Sequence, residues 1–387
     1  MAGTDITHDG VVKRVSGSFF RGATMNIYPN DSSLDKSFAL AQYLTRGWMP
    51  KEPYISKSAP IVAFGSCFAG NISKYLHKRG FNVLTRKDNK AYVTRMGDGM
   101  VHTHAIRQQF EWAWLNKTPS QDLWHGYEAE EFGYTESAHA DTLRLFNEAE
   151  VFIITLGLSE IWYDEPTGEV FWRAIPKEKY DASRHKFRVA THAETLANIR
   201  AIHSLIRTYR PNATVVFTVS PIPLAATFRP VTAIAANAVS KATIRSAVDE
   251  FYQEASPNDD RLFYFPSYDI VMHAFNHQWN ADRRHVYAHV LAFNMKIFEH
   301  FFCTSDLPQE KLEMSFRKAQ RLDKKIGESG HGAVAGTFGE DEEARQARRK
   351  ATGQRRRALR RAARINERKM HRKKVGSPDA SSPVVTP

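Results

Sequence analysis

Five strand-length runs rich in apolar residues punctuate this chain: 60–64, 81–84, Val151–Leu156, Thr214–Val219 and Leu262–Phe265. The longest of them are continuous Val, Ile, Phe and Leu rather than alternating. That pattern belongs to strands covered on both faces, which in practice means a parallel sheet between helices. Gly65-Ser66, Gly157 and Ser220-Pro221 stop three of the runs. The intervals carry apolar residues at helical spacing: Ile72, Tyr75 and Leu76 within 71–79, closed by Gly80, then Leu196, Ile199, Ile202, Leu205 and Ile206 within 193–209. Two more helices are read over 233–252 and 288–302. Strand, turn, helix, strand is the opening of an α/β unit, and the expected fold is a three-layer α/β/α sandwich with a mostly parallel sheet.

The rest of the 387 residues divides by composition. Residues 1–56 read as an irregular lead-in with aromatic anchors, 57–303 as the α/β domain, 304–343 as a linker and 344–387 as a tail. The tail explains the charge. Residues 344–374 hold 15 Lys or Arg against one acid, Glu367, so of a net +12 the remainder of the chain carries only −2. Few apolar residues interrupt the run (Leu359, Ile365, Met370), too few for a core, so disorder or transient helix is expected there. Any weak contact with nucleic acid or an anionic membrane is assigned to this segment alone. Two cysteines, Cys67 and Cys303, exclude a disulfide framework and any paired-Cys metal spacing. The first 21 residues carry no apolar run of signal-peptide type, and no apolar stretch is long enough to span a bilayer. The expectation is a cytoplasmic protein without a metal or cofactor, its oligomeric state open.

In an open parallel sheet, ligands bind beyond the carboxyl ends of the strands. That directs attention to Ser66, to 157–160, to Ser220 and to the loop after Phe265. Ser66 falls between a strand and a helix start, where a hydroxyl can face a crevice and helix-end N–H groups can stabilise an oxyanion. Taken alone, the same residues read more simply as a turn with a serine helix cap. Among 16 histidines, His285 stands out for its company. In Asp282-Arg283-Arg284-His285 a carboxylate three residues ahead can fix the imidazole tautomer while the other ring nitrogen serves a hydroxyl.

These residues carry a resemblance. Gly65-Ser66-Cys67-Phe68-Ala69 spells the signature of the GSCFA family, a branch similar to SGNH/GDSL hydrolases. The likeness extends through Thr155-Leu156-Gly157-Leu158-Ser159-Glu160-Ile161-Trp162, Thr218-Val219-Ser220-Pro221-Ile222-Pro223 and Tyr264-Phe265-Pro266-Ser267-Tyr268 to the Asp-x-x-His loop, covering roughly 56–303. It implies a nucleophile at Ser66 and a proton relay at Asp282 and His285. It implies oxyanion donors at Ser66, at Gly97 or Gly99, and at Ser159, where the family's Asn is expected. A hydroxyl can still donate one hydrogen bond. The implied activity is that of an esterase or O-acyltransferase on a small-molecule or glycan ester. The Gly-x-Ser-x-Gly elbow is missing, because Phe64 and Phe68 hold its outer positions.

Other residues compete for roles. Cys67 adjoins Ser66 at a helix start, where a thiol can be acidified; a small buried residue is the alternative. His102 and His104 flank Thr103 at a spacing suited to a strand or loop, but no carboxylate cluster follows to complete a metal set. Arg283 and Arg284 could grip an anionic substrate or lie in solvent. Trp112, Trp114 and Trp124 could stack a sugar, although core is the commoner fate of such residues. Two further functions stand against the esterase: a non-catalytic binding module on the same fold, and a nucleic-acid-processing enzyme resting on the tail alone.

Overall fold

The computed structural model describes residues 3–330, apart from 9–10, 17–21, 23, 88–89, 96–98, 119–134, 173–174 and 176. They belong to a first unit, Met1–Ala333; a second, Val334–Pro387, lies outside them together with the basic run. The lead-in holds a small sheet instead of irregular chain throughout. Strand β1 (Thr4–His8) pairs antiparallel with β2 (Val11–Val15) and parallel with β3 (Thr24–Asn26). Val11, Val12 and Val15 remain exposed, so no buried face announced these strands in the sequence. Further along, Trp48 packs on Tyr252 and Tyr264, with ring centroids 5.6 and 5.1 Å apart.

The main sheet has four strands, all parallel, in the order β4 (Ile61–Gly65), β5 (Val151–Leu156), β8 (Thr214–Val219), β9 (Leu262–Phe265). Between β5 and β8 a separate antiparallel pair, β6 (Glu160–Asp164) and β7 (His185–Val189), is inserted. Alternate residues of the main strands face opposite layers. Phe64, Phe152, Ile154, Val215, Phe217 and Tyr264 share one buried cluster with Phe110, Phe146, Ile199, Ile202 and Phe251. Those partners come from helices α2 (Thr103–Leu115), α3 (Glu136–Glu148), α4 (His192–Tyr209) and α5 (Ala233–Ala255). On the other face, α1 (Cys67–Lys78) and α7 (Ala288–Phe302) cover the sheet. There Phe265 meets Phe298 and Phe302 at 5.3 and 5.8 Å, and the Ser73 hydroxyl donates to Ala63 O. Each fully buried Val, Leu, Ile or Phe contributes roughly 1.5–3 kcal/mol, which is why uninterrupted apolar runs can hold both layers at once. The α/β/α expectation stands.

Two segments depart from the sequence reading. Residues 81–84 do not form a strand. Val83 makes one isolated parallel bridge to Ile61, and the chain then turns into a 3-10 helix at Leu84–Arg86. The physical reason is Thr85, whose hydroxyl donates to Ala63 O at 3.1 Å and so takes the place of a backbone partner along β4. Residues 309–329, read as linker, instead form helix α8 (Gln309–Ser329). Leu312, Phe316, Ala319 and Ile326 line its buried stripe, and Phe316 stacks on Phe293 of α7 at 4.8 Å. High charge masked a true helical period. Among the described residues, no helix is long and apolar enough to cross a membrane.

Candidate active site

Gly65, Thr155, Thr218 and Phe265 lie in one register row across the sheet. The next residues on each strand therefore emerge along a common carboxyl edge. The Val83 bridge lies on the side of β4 away from β5, since both pair with Ile61. From β4 the chain thus runs outward one way, then returns to build β5, β8 and β9 on the other. Strand order reverses at the junction of β4 with β5, and such switch points open a crevice. Ser66 sits at that junction.

Local geometry at Ser66 follows from its neighbours. Gly65 has φ +130°, and a Cβ there would lie 2.1 Å from Thr155 O, so only glycine lets β4 leave the sheet at this point. Ser66 is extended (φ −92°, ψ 174°) and caps α1, its Oγ accepting from Phe68 N at 3.2 Å. Its own N–H donates to Thr155 O at 3.1 Å. Ser66 is 4% exposed.

Two backbone segments close around it. Gly99 forms an isolated antiparallel bridge with Ser66. Two residues on, Val101 O accepts from both Gly157 N (2.7 Å) and Leu158 N (2.9 Å). A Cβ on Gly157 would stand 3.4 Å from the Ser66 Cβ and 3.0 Å from Val101 O, so the loop after β5 is pressed onto the serine. Ser66, Gly99 and Gly157 are thereby gathered at one point; Gly97 lies outside the described residues. Ser159 is 2% exposed, donates its N–H to Ser240 Oγ at 2.8 Å, and keeps a buried hydroxyl with no partner among the described residues. A buried orphan hydroxyl of this kind calls for a functional or solvent partner.

The loop between α6 (Ser267–His273) and α7 carries the Asp-x-x-His segment. Asn280 N donates to His285 O at 2.8 Å and Arg283 N to Asn280 O at 2.8 Å, with Arg283 itself in the left-handed region at φ 54°. That tight turn brings Asp282 and His285 together. Asp282 Oδ1 accepts from the N–H groups of Arg284 and His285, each at 3.0 Å, and Oδ2 accepts from His285 Nδ1. Burial pushes the Asp282 carboxyl up, but these hydrogen bonds outweigh it and leave the group below the usual aspartate value. Nε2 of His285 has no partner among the described residues, and neither nitrogen is bonded to Ser66 there. Arg284 reaches across to Pro223 O, 3.5 Å away in the loop after β8, which sets the Asp-x-x-His turn on the carboxyl edge of the sheet.

The GSCFA family model matches residues 60–298, more than half of the sequence. This chain belongs to the GSCFA family. No curated protein matches it in sequence. Within the GSCFA domain, the other candidates resolve into structural parts. His102 ends a loop as the N-cap of α2, and His104 lies inside that helix: His102 Nδ1 accepts from Ala105 N at 3.2 Å and Nε2 donates to Phe171 O at 3.0 Å. Burial pushes His102 down to about 3, and both its nitrogens are used by the fold. Among the described residues, no group of three or more His, Cys, Asp or Glu could hold a metal ion. Trp112 and Trp114 are buried in the core, Trp114 stacking on Tyr209 at 5.0 Å; Trp124 lies outside the described residues. Cys67 is the first residue of α1 and half-buried.

One buried residue beside this candidate site is absent from the sequence reading. Lys241, 2% exposed, donates from Nζ to Gly157 O at 2.8 Å and Ser220 O at 2.6 Å. Burial alone pushes its ammonium down to about 7. The signal was available: Lys241 falls on the inward stripe of α5, three residues before Ile244 and seven before Val248.

Proposed function

We propose that this GSCFA protein is a serine esterase or O-acyltransferase that works through an acyl-Ser66 intermediate. The observation that carries the reading is the place of Ser66 at the switch point of the sheet, beside Gly99 and Gly157 and on the same edge as the Asp282–His285 turn. Ser66 Oγ attacks the acyl carbonyl carbon and passes its proton to His285 Nε2. Asp282 holds the Nδ1–H and stabilises the imidazolium. The tetrahedral oxygen is met by the buried hydroxyl of Ser159 and by a backbone N–H of the 99 segment. Collapse expels the alcohol, which takes the proton from His285. Water, or a sugar hydroxyl in the transferase case, then gives its proton to His285 and attacks the acyl-Ser66 carbonyl; Ser66 leaves with that proton. Catalytic hydrogen bonds are often long before substrate binds, which fits a serine and an imidazole not yet bonded to each other. The kinship of the family with enzymes of acylated glycans makes a carbohydrate ester the preferred substrate class.

A non-catalytic module on the same fold is favoured by one observation: the Ser66 N–H is engaged by Thr155 O. Covalent labelling separates the two. A fluorophosphonate probe should modify Ser66, as mapped by mass spectrometry, and the label should vanish in a folded Ser66→Ala protein. An unlabelled, folded wild type supports the binding module, and a label on Cys67 points to thiol chemistry.

A further inference from the structure

The inward stripe of α5 is apolar at Ala236, Ile244, Ala247, Val248 and Phe251, but Ser240 and Lys241 interrupt it, both buried. Taking an ammonium out of water costs several kcal/mol unless partners compensate, and no carboxylate among the described residues meets this one. Its hydrogen bonds go to two backbone carbonyls, 84 and 21 residues away in sequence. Those carbonyls, of Gly157 and Ser220, belong to the first residues beyond β5 and β8. Ser240 adds a third hold, because its Oγ accepts from Ser159 N at 2.8 Å. The two loops are also tied to each other by Ser220 N donating to Leu156 O at 2.8 Å. Gly157, gripped from behind by Lys241, is the residue that presses on Ser66.

We propose that Ser240 and Lys241 are positioning residues, a clamp on α5 that holds the loops after β5 and β8 so that the backbone of 157–159 keeps its place against Ser66. The geometry stands by itself; the catalytic consequence rests on the acyl-Ser66 reading. An apolar residue at 241 would fill the core and leave the two carbonyls without their donor.

Lys241→Met keeps the reach of the side chain and removes its donors. In the full-length protein, hydrogen–deuterium exchange at 157–160 and 220–224 should quicken by about tenfold, the loss expected for a hydrogen bond to a charged group, while β4 and α1 exchange as in wild type. Inactivation by a fluorophosphonate should show a kinact reduced roughly ten- to hundredfold, the cost of a small misplacement, with KI unchanged. Wild-type exchange in both loops, an even rise across the whole sheet, or local loosening with kinact unchanged would each overturn the positioning role. Should Lys241→Met fail to fold, Ser240→Ala, which deletes a single hydrogen bond, is read the same way at 157–160. A wild type that takes no label fails the acyl-Ser66 reading alone, and the exchange measurement still decides the clamp.

Discussion

A side chain on Gly65 would place its Cβ 2.1 Å from the carbonyl oxygen of Thr155 on the neighbouring strand. The position also has φ +130°, where L-residues are strained. Gly65→Ala must therefore push β4 from β5 at the very point where Ser66 leaves the sheet. A destabilisation of roughly 3–5 kcal/mol is expected, with a lower Tm by scanning calorimetry and loss of Ser66 labelling. A Tm equal to wild type would mean that the approach of the two strands is looser than described.

The Asp282 carboxylate accepts from two backbone N–H groups and from His285 Nδ1. Asp282→Asn preserves the turn, since one oxygen remains to accept, but turns an N–H donor toward Nδ1 and selects the wrong imidazole tautomer. By analogy with serine relays, turnover of a short-chain ester should fall by about 10³–10⁴, while the melting temperature stays close to wild type. Equal turnover in the two proteins would remove Asp282 from the relay. Because the carboxyl sits below the usual aspartate value, its contribution to stability is complete above the unfolded value and is lost only as pH falls through the lower folded one.

Lys241 supplies a pH signature of its own. Nζ faces the carbonyls of Gly157 and Ser220, and among the described residues no ionisable side chain adds to the shift that burial imposes. Folded Lys241 titrates at about 7 against an ordinary value of 10.5. Between those pH values the unfolded chain binds a proton that the folded chain does not, so stability rises with pH, by at most about 1.4 kcal/mol per unit. Below about 7 both states are protonated and the group adds no slope. Urea unfolding of wild type and Lys241→Met at pH 7, 8 and 9 should show a difference that grows in favour of wild type as pH rises. Parallel profiles would show that the amine stays protonated in the fold.

The residues that make up the candidate site are legible in the sequence. Ser66 at a strand end, the Asp-x-x-His spacing and the Gly-Ser-Cys-Phe-Ala signature are all local features, and local features survive in a linear string. Strands β4, β5, β8 and β9 were legible for the same reason: a residue run buried on both faces must be apolar throughout. What misled was composition. Residues 309–329 are rich in charge, yet four apolar residues on one face suffice to dock α8, and residues 81–84 look extended until Thr85 occupies the edge of β4.

Sequence alone therefore determined the layers, the family and the candidate site residues, because propensity, periodicity and short motifs act over a few residues. Only the tertiary structure decided that β5 pairs on the side of β4 away from Val83, which makes Ser66 a switch-point residue. Only it brought Lys241 under Gly157 and Ser220, across 84 and 21 residues of chain. Strand order and buried polar partners are long-range choices, set by which surfaces can be covered together. No window of neighbouring residues records them.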